Sequence, residues 1–178
     1  MSSNQMNKKE MLIAALLVGA AACSRFIAIK DLPNFTAIGS IALFGGAVIK
    51  DKRLSLLIPM LALFITDLII GMYSTMWIVY VSFAIMGMIG WWVARSMKPI
   101  NIAMGTLAGG VVFYLLTNLP FLYNDISLYS NDINGLIASY TAALPFYRNQ
   151  LLGDLFYTTT LFGAYFWIKA QSQIKATA

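Results

Sequence analysis

The sequence has no histidine and one cysteine, Cys23. A disulfide framework is therefore excluded, and so is a zinc site built on cysteine and histidine. Charge is also scarce: 12 basic and 7 acidic residues make up 11% of the 178 positions, against 60% hydrophobic. Soluble domains carry about a quarter charged residues and roughly half apolar ones. The deficit implies lipid as the solvent for most of this chain. No G-x-S-x-G elbow and no phosphate-cradling P-loop occurs. Asp67 and Asp154 are the candidates for an intramembrane aspartyl pair, but an enzyme is not expected, and neither is a bound metal or resident cofactor. No basic cluster with interleaved aromatics suggests nucleic acid. Without a linker, a low-complexity run or a repeat at fixed period, one domain is expected.

What is present is a series of apolar blocks. The stretch Ser24–Ala47, SRFIAIKDLPNFTAIGSIALFGGA, stands out as the one the chain is organised around. Its first half is polar and its second half apolar and small. Residues 1–10 read as a flexible cytoplasmic N-terminus, 11–170 as a six-helix transmembrane domain and 171–178 as a cytoplasmic tail. The first block begins at Met11 and extends through Ile29. Lys8, Lys9 and the run ending Ala20-Ala21-Ala22-Cys23 have some character of a cleaved signal, but Ala20 stands where a lipoprotein site favours leucine, so a retained helix is expected. Further blocks occupy about 35–49, 54–71, 75–95, 100–122 and 148–168, near the roughly 20 residues that cross a bilayer. The second is short, about 22 Å as a helix. Pro59 allows a kink in the third block, and Pro99 fits a turn before the fifth.

Net charge is +5. With the N-terminus in the cytoplasm, Lys8, Lys9, Lys50, Lys52, Arg53, Arg95, Lys98, Lys169 and Lys175 are inside, and Arg25, Lys30 and Arg148 outside. Nine against three is a positive-inside bias. The expectation is six spans with both termini inside, a multi-pass membrane protein. Residues 122–147 are then external. Asn131 or Asp132 caps a short amphipathic helix near 132–144, and Pro145 stops it.

This topology makes depth legible. Asp67 lies about 6 Å below the outer end of its helix and Asp154 about 9 Å in. Arg25 ends the first helix, Asn34 and Thr36 cap the entry to the second, and Thr117 and Asn118 end the fifth. Charges near a bilayer centre cost ~2.5–3.5 kcal/mol, so they face a partner or a cavity. Arg25, Asn34, Thr36, Asp67, Asn118 and Asp154 are therefore the candidate ligand-binding residues, with loop 31–36 and segment 132–147 as a lid. Two carboxyls and one guanidinium favour a neutral or cationic ligand. A packing role is the competing reading: Arg25 pairs with Asp67 or with Asp154, and Asn118 hydrogen-bonds across helices.

Ala15, Gly19 and Cys23 recur every four residues, as do Gly105 and Gly109, with Gly110 beside them. Such spacing permits close helix approach, either inside the chain or against a partner, and Ala15 and Gly19 are the candidate partner-docking residues. Cys23 reads as a small buried packing residue; a thiolate for a soft metal such as corrinoid cobalt is the other reading.

Ser24-Arg25, Pro33-Asn34-Phe35-Thr36, Ala42-Leu43-Phe44-Gly45-Gly46-Ala47, Asp67, Thr117-Asn118 and Leu144-Pro145-Phe146 with Asn149, Gly153 and Asp154 resemble the pattern of a bacterial membrane family of unknown function, over roughly 24–163. That family is similar in architecture to the substrate-binding S components of energy-coupling-factor (ECF) vitamin transporters. The resemblance implies six helices, an outward pocket closed by loops, a vitamin- or cofactor-like substrate, and a transmembrane coupling subunit with ATPases as partner. The Ala15–Gly19–Cys23 spacing departs from the alanine pair of that docking face. A structural or assembly membrane protein without a ligand is the alternative.

Overall fold

The structure is a computed structural model. It describes the backbone of residues 8–123 and 128–177, and the side-chain surroundings of 15–26, 32–123, 128–171 and 173–174. Among the described residues there are six helices and no strand. They are α1 (Lys8–Asp31), α2 (Ile38–Val48), α3 (Lys52–Ile70), α4 (Met76–Val93), α5 (Pro99–Thr117) and α6 (Ile133–Thr177), with one 3-10 turn at Pro120–Leu122.

Local chemistry explains most boundaries. Asp51 caps α3, its Oδ1 accepting from the Arg53 and Leu54 amides at 2.8 and 3.1 Å. Pro99 opens α5 at a first-turn position, where its missing N–H costs nothing. Asp132 caps α6, its carboxylate accepting from the Gly135 amide at 2.8 Å. That hydrogen bond, with a second from the Ser130 hydroxyl, holds the Asp132 carboxyl below the usual carboxylate range. The start of α2 is different. Asn34 and Thr36 do not cap it: Ala37 is the cap residue, without a side-chain bond of its own. Its amide donates instead to Ser24 Oγ of α1 at 2.9 Å, and Ser24 in turn donates to the Ala21 carbonyl at 2.7 Å.

The centre of the fold is α2, and with it the second half of the Ser24–Ala47 stretch. Every residue from Ile38 to Ala47 is buried, and the helix touches each of the other five. Its 11 residues reach only about 16 Å, but a helix enclosed by its own chain need not match a bilayer. The closest approach is to α4. A Cβ on Gly46 would strike the Gly87 carbonyl, and one on Gly90 would strike the Leu43 carbonyl. Backbones in contact let the two helices share a seam that larger residues would hold apart.

Outward faces are apolar. Leu57, Leu61, Phe64, Ile65 and Leu68 are exposed at helical spacing on α3, and Ile100, Met104, Leu107, Val111 and Leu115 on α5. Contiguous apolar stripes of this extent suit lipid rather than water.

One expectation is met in part and one is corrected. Six membrane-crossing helices were expected; three, α3, α4 and α5, are long and apolar enough among the described residues. Within the described residues α1 contributes the apolar stretch Ala15–Phe26, α2 has 11 residues, and the tyrosines, threonines, Gln150 and Asp154 of α6 dilute its hydropathy. Nor does Pro145 end a short surface helix, for α6 runs through it for 45 residues. The proline removes one backbone bond, while contacts to α5 hold its N-terminal side in line. Tyr114 donates to the Tyr140 carbonyl at 2.7 Å, Tyr140 to the Leu115 carbonyl at 2.8 Å, and Ser139 to the Asn118 carbonyl at 2.9 Å.

Candidate functional site

The C-terminal ends of α1, α3 and α5 gather at one end of the bundle with the N-terminal ends of α2 and α4. Two adjoining cavities lie there, of about 130 and 230 Å³. The first is lined by Arg25, Asn34, Thr36, Tyr73, Gln150 and Asp154 over apolar walls. The second is lined by Thr117, Asn118, Tyr114 and Tyr147, and shares Asn34, Val79, Phe113 and Gln150 with the first. Five of the six expected ligand-binding residues therefore border this space. Asp67 borders neither cavity.

Asp67 is held behind the first cavity. Its Oδ1 lies 2.7 Å from a terminal nitrogen of Arg25, and Tyr80 donates to its Oδ2 at 2.9 Å. Arg25 directs its N–H groups to Thr66 Oγ1 at 2.6 Å and the Leu63 carbonyl at 3.4 Å, so charge rather than a well-aligned hydrogen bond joins Asp67 Oδ1 to it. Of the two pairings open to Arg25, the structure takes Asp67.

Asp154 has no such partner. It is 2% exposed, and among the described residues it forms no ion pair. Gln150, one turn earlier on α6, donates to its Oδ2 at 3.3 Å. Its backbone carbonyl accepts from Ser40 Oγ at 2.9 Å, and Thr158 donates to Ser40 Oγ at 3.0 Å, which ties α6 to α2. Gly39 gives the carboxyl its room: a Cβ there would lie 2.6 Å from Oδ1.

The 31–36 loop reaches the cavity through a tight turn. Asn34 takes φ +68, a left-handed conformation that asparagine tolerates better than most residues. A Cβ on Gly153 would lie 3.1 Å from Phe35 Cα and 3.2 Å from the Thr36 amide, so glycine is what lets the loop settle on α6. Phe35 then packs against Tyr157 with ring centroids 5.6 Å apart. From the lid segment, Ala143, Phe146 and Tyr147 line the second cavity. Asn118 spends its amide within its own helix end, donating to the Tyr114 carbonyl at 2.8 Å. Burial pushes the Tyr73 phenol above its ordinary range; the nearby Asp67 charge raises it further and Arg25 opposes.

Several participants were not anticipated. Gln150 could have been found, since it stands four residues before Asp154 on one helix face. Tyr80, Thr66 and Phe113 carry no sequence signal that separates them from other residues of their helices. The small-residue stripes divide. Gly105 and Gly109 are internal, packed against Val93 and Met86. Ala15, Gly19 and Cys23 are exposed, with nothing within 4 Å of a Cβ built on Gly19. Cys23 is thus not the buried packing residue expected, because the face of α1 that carries it turns away from the bundle, and it lines neither cavity. Among the described residues no three acidic or cysteine side chains are grouped to hold a metal ion.

No curated protein and no solved structure gives a significant match to this chain. A family model matches residues 5–176, nearly the whole length. The chain belongs to that family, the family of unknown function DUF6580.

Proposed function

We propose that this chain is a membrane protein that binds a small neutral or cationic molecule in the paired cavities beneath the 31–36 loop. The observation that carries the reading is Asp154: a buried carboxyl beside a cavity, with an amide for a partner and, among the described residues, no cation. An uncompensated carboxylate in an apolar bundle is costly, and a ligand cation or donor would supply the missing partner. Together the cavities reach the lower end of ligand-site volumes, about 300 Å³.

The fuller reading is an uptake component for a vitamin- or cofactor-like substrate, arranged like an ECF S component in a bacterial cytoplasmic membrane. All six helices would then cross or line the bilayer, with both termini inside. Three membrane-length helices, apolar outer stripes and the paired cavities at the end that holds Arg25 and Asn34 support it. A coupling subunit with ATPases would be its partner. The exposed Ala15–Gly19 face of α1 also suits the second reading, an assembly protein without a ligand.

The test is a thermal-shift screen of the purified protein against water-soluble vitamins and amines. A ligand specific to the native state stabilises by about 2.7 kcal/mol at a hundredfold excess over Kd. A hit that disappears in Asp154→Asn supports the site. A hit indifferent to Asp154→Asn moves the site elsewhere, and a screen with no hit favours the assembly reading.

A further inference from the structure

The opposite end of the bundle holds a recess that the ligand reading does not use. It lies between the α2–α3 turn and the C-terminal end of α4 and measures about 390 Å³. Lys50, Lys52 and Arg95 line it together with Trp91, and no acidic residue does. Asp51, the one acid of the turn, is outside the lining and caps α3. Among the described residues none of the three cations forms an ion pair or donates a side-chain hydrogen bond. Lys52 is nonetheless placed: its Nζ sits 5.0 Å from the centre of the Trp91 ring, and the indole N–H donates to Ser55 Oγ at 3.0 Å.

Three unpaired cations around one hollow call for a multivalent anion such as a phosphate group. The neighbouring surface says how that phosphate arrives. Met88 and Trp92 also line the recess, one helical turn apart, and are 43% and 44% exposed. Val81 continues the stripe along α4 away from the charges. A free anion has no use for this apolar track, whereas an acyl chain does. We propose that the recess binds the headgroup phosphate of an anionic phospholipid, with its chains lying along Met88 and Trp92. Such a site anchors the end of the bundle where the basic residues concentrate and fixes α2 against α4 at the Gly46–Gly90 seam.

The experiment uses the full chain in nanodiscs of equal phosphatidylglycerol and phosphatidylcholine, transferred to detergent, with retained lipid counted by native mass spectrometry. Phosphatidylglycerol should be retained several-fold over phosphatidylcholine. Each neutralised cation should lower that ratio by up to about fivefold, so Lys52→Gln/Arg95→Gln should abolish the preference while Lys52→Arg keeps it. Arg148→Gln, away from the recess, should leave it unchanged. Equal retention of both lipids by the unaltered chain, or a ratio unmoved in the double variant, overturns the proposal. So does inorganic phosphate in excess that displaces phosphatidylglycerol and is itself retained, for the anion is then a free one. Should the double variant fail to elute as a single species, the unaltered chain decides by salt. A preference that falls as salt screens the cations supports the site, and one that persists at high salt overturns it.

Discussion

Asp67 and Asp154 are both buried to 2% exposure or less, on different helices of the same end of the bundle, yet they live in different chemistry. Asp67 has a guanidinium at 2.7 Å and a phenol at 2.9 Å. Asp154 has one amide at 3.3 Å and a cavity in front of it. Burial alone therefore does not separate a structural carboxyl from an available one. The partner does, and the partner is set by how helices are rotated about their axes.

The comparison is broken most severely at Arg25. Removing it leaves Asp67 as a buried charge, so Arg25→Ala should cost about 3–5 kcal/mol of stability in detergent unfolding. A loss under about 1 kcal/mol would mean that Asp67 is not held by charge, and the contrast with Asp154 would collapse. Next comes Tyr80→Phe, which deletes one hydrogen bond to the same carboxylate while keeping the ring. It should cost about 1.5–3 kcal/mol, the range for a bond to a charged group, and should leave ligand affinity unchanged because Tyr80 lines neither cavity.

Asp154→Asn sharpens the difference from the other side. The amide keeps the shape and does not disturb an ion pair, so unfolding should move by less than about 1 kcal/mol. Affinity for a cationic ligand should fall about tenfold or more, measured by titration calorimetry. A variant that unfolds as readily as Arg25→Ala would place Asp154 in the packing network instead.

The smallest effect belongs to a third carboxyl, exposed Asp132 at the start of α6. Its folded-state value is lowered, so its contribution is complete above the ordinary carboxylate range and is lost as pH falls through the lowered value. Asp132→Ala should fray only the first turn, seen as faster amide exchange at Gly135 and Leu136. Protection of the same amides, corrected for the intrinsic pH dependence of exchange, should fall in the unaltered chain under acid. Exchange that is faster at Gln150 as well would show that the cap and the cavity are coupled.

Much of this molecule follows from the sequence alone. Scarce charge and long apolar blocks point to an all-helical chain, and three of its helices are long and apolar enough to cross a membrane among the described residues. Pro99 and Asp132 mark helix starts, because capping is chemistry within three or four residues. The same local count of residues places Arg25, Asn34, Thr36, Asn118 and Asp154 at one end of the bundle, since rise per residue converts position into depth. Tertiary structure alone decided what depends on rotation and on contacts between distant segments. It buried α2 at the centre and brought Gly46 against Gly87 and Gly90. It carried α6 through Pro145 by fastening Tyr140 and Ser139 to α5, where a sequence reading expects a stop. It turned Ala15, Gly19 and Cys23 outward, gave Arg25 to Asp67 rather than to Asp154, and added Tyr80 to that pair. Hydropathy reports how deep a side chain sits; which neighbour it meets is settled only when six helices pack together.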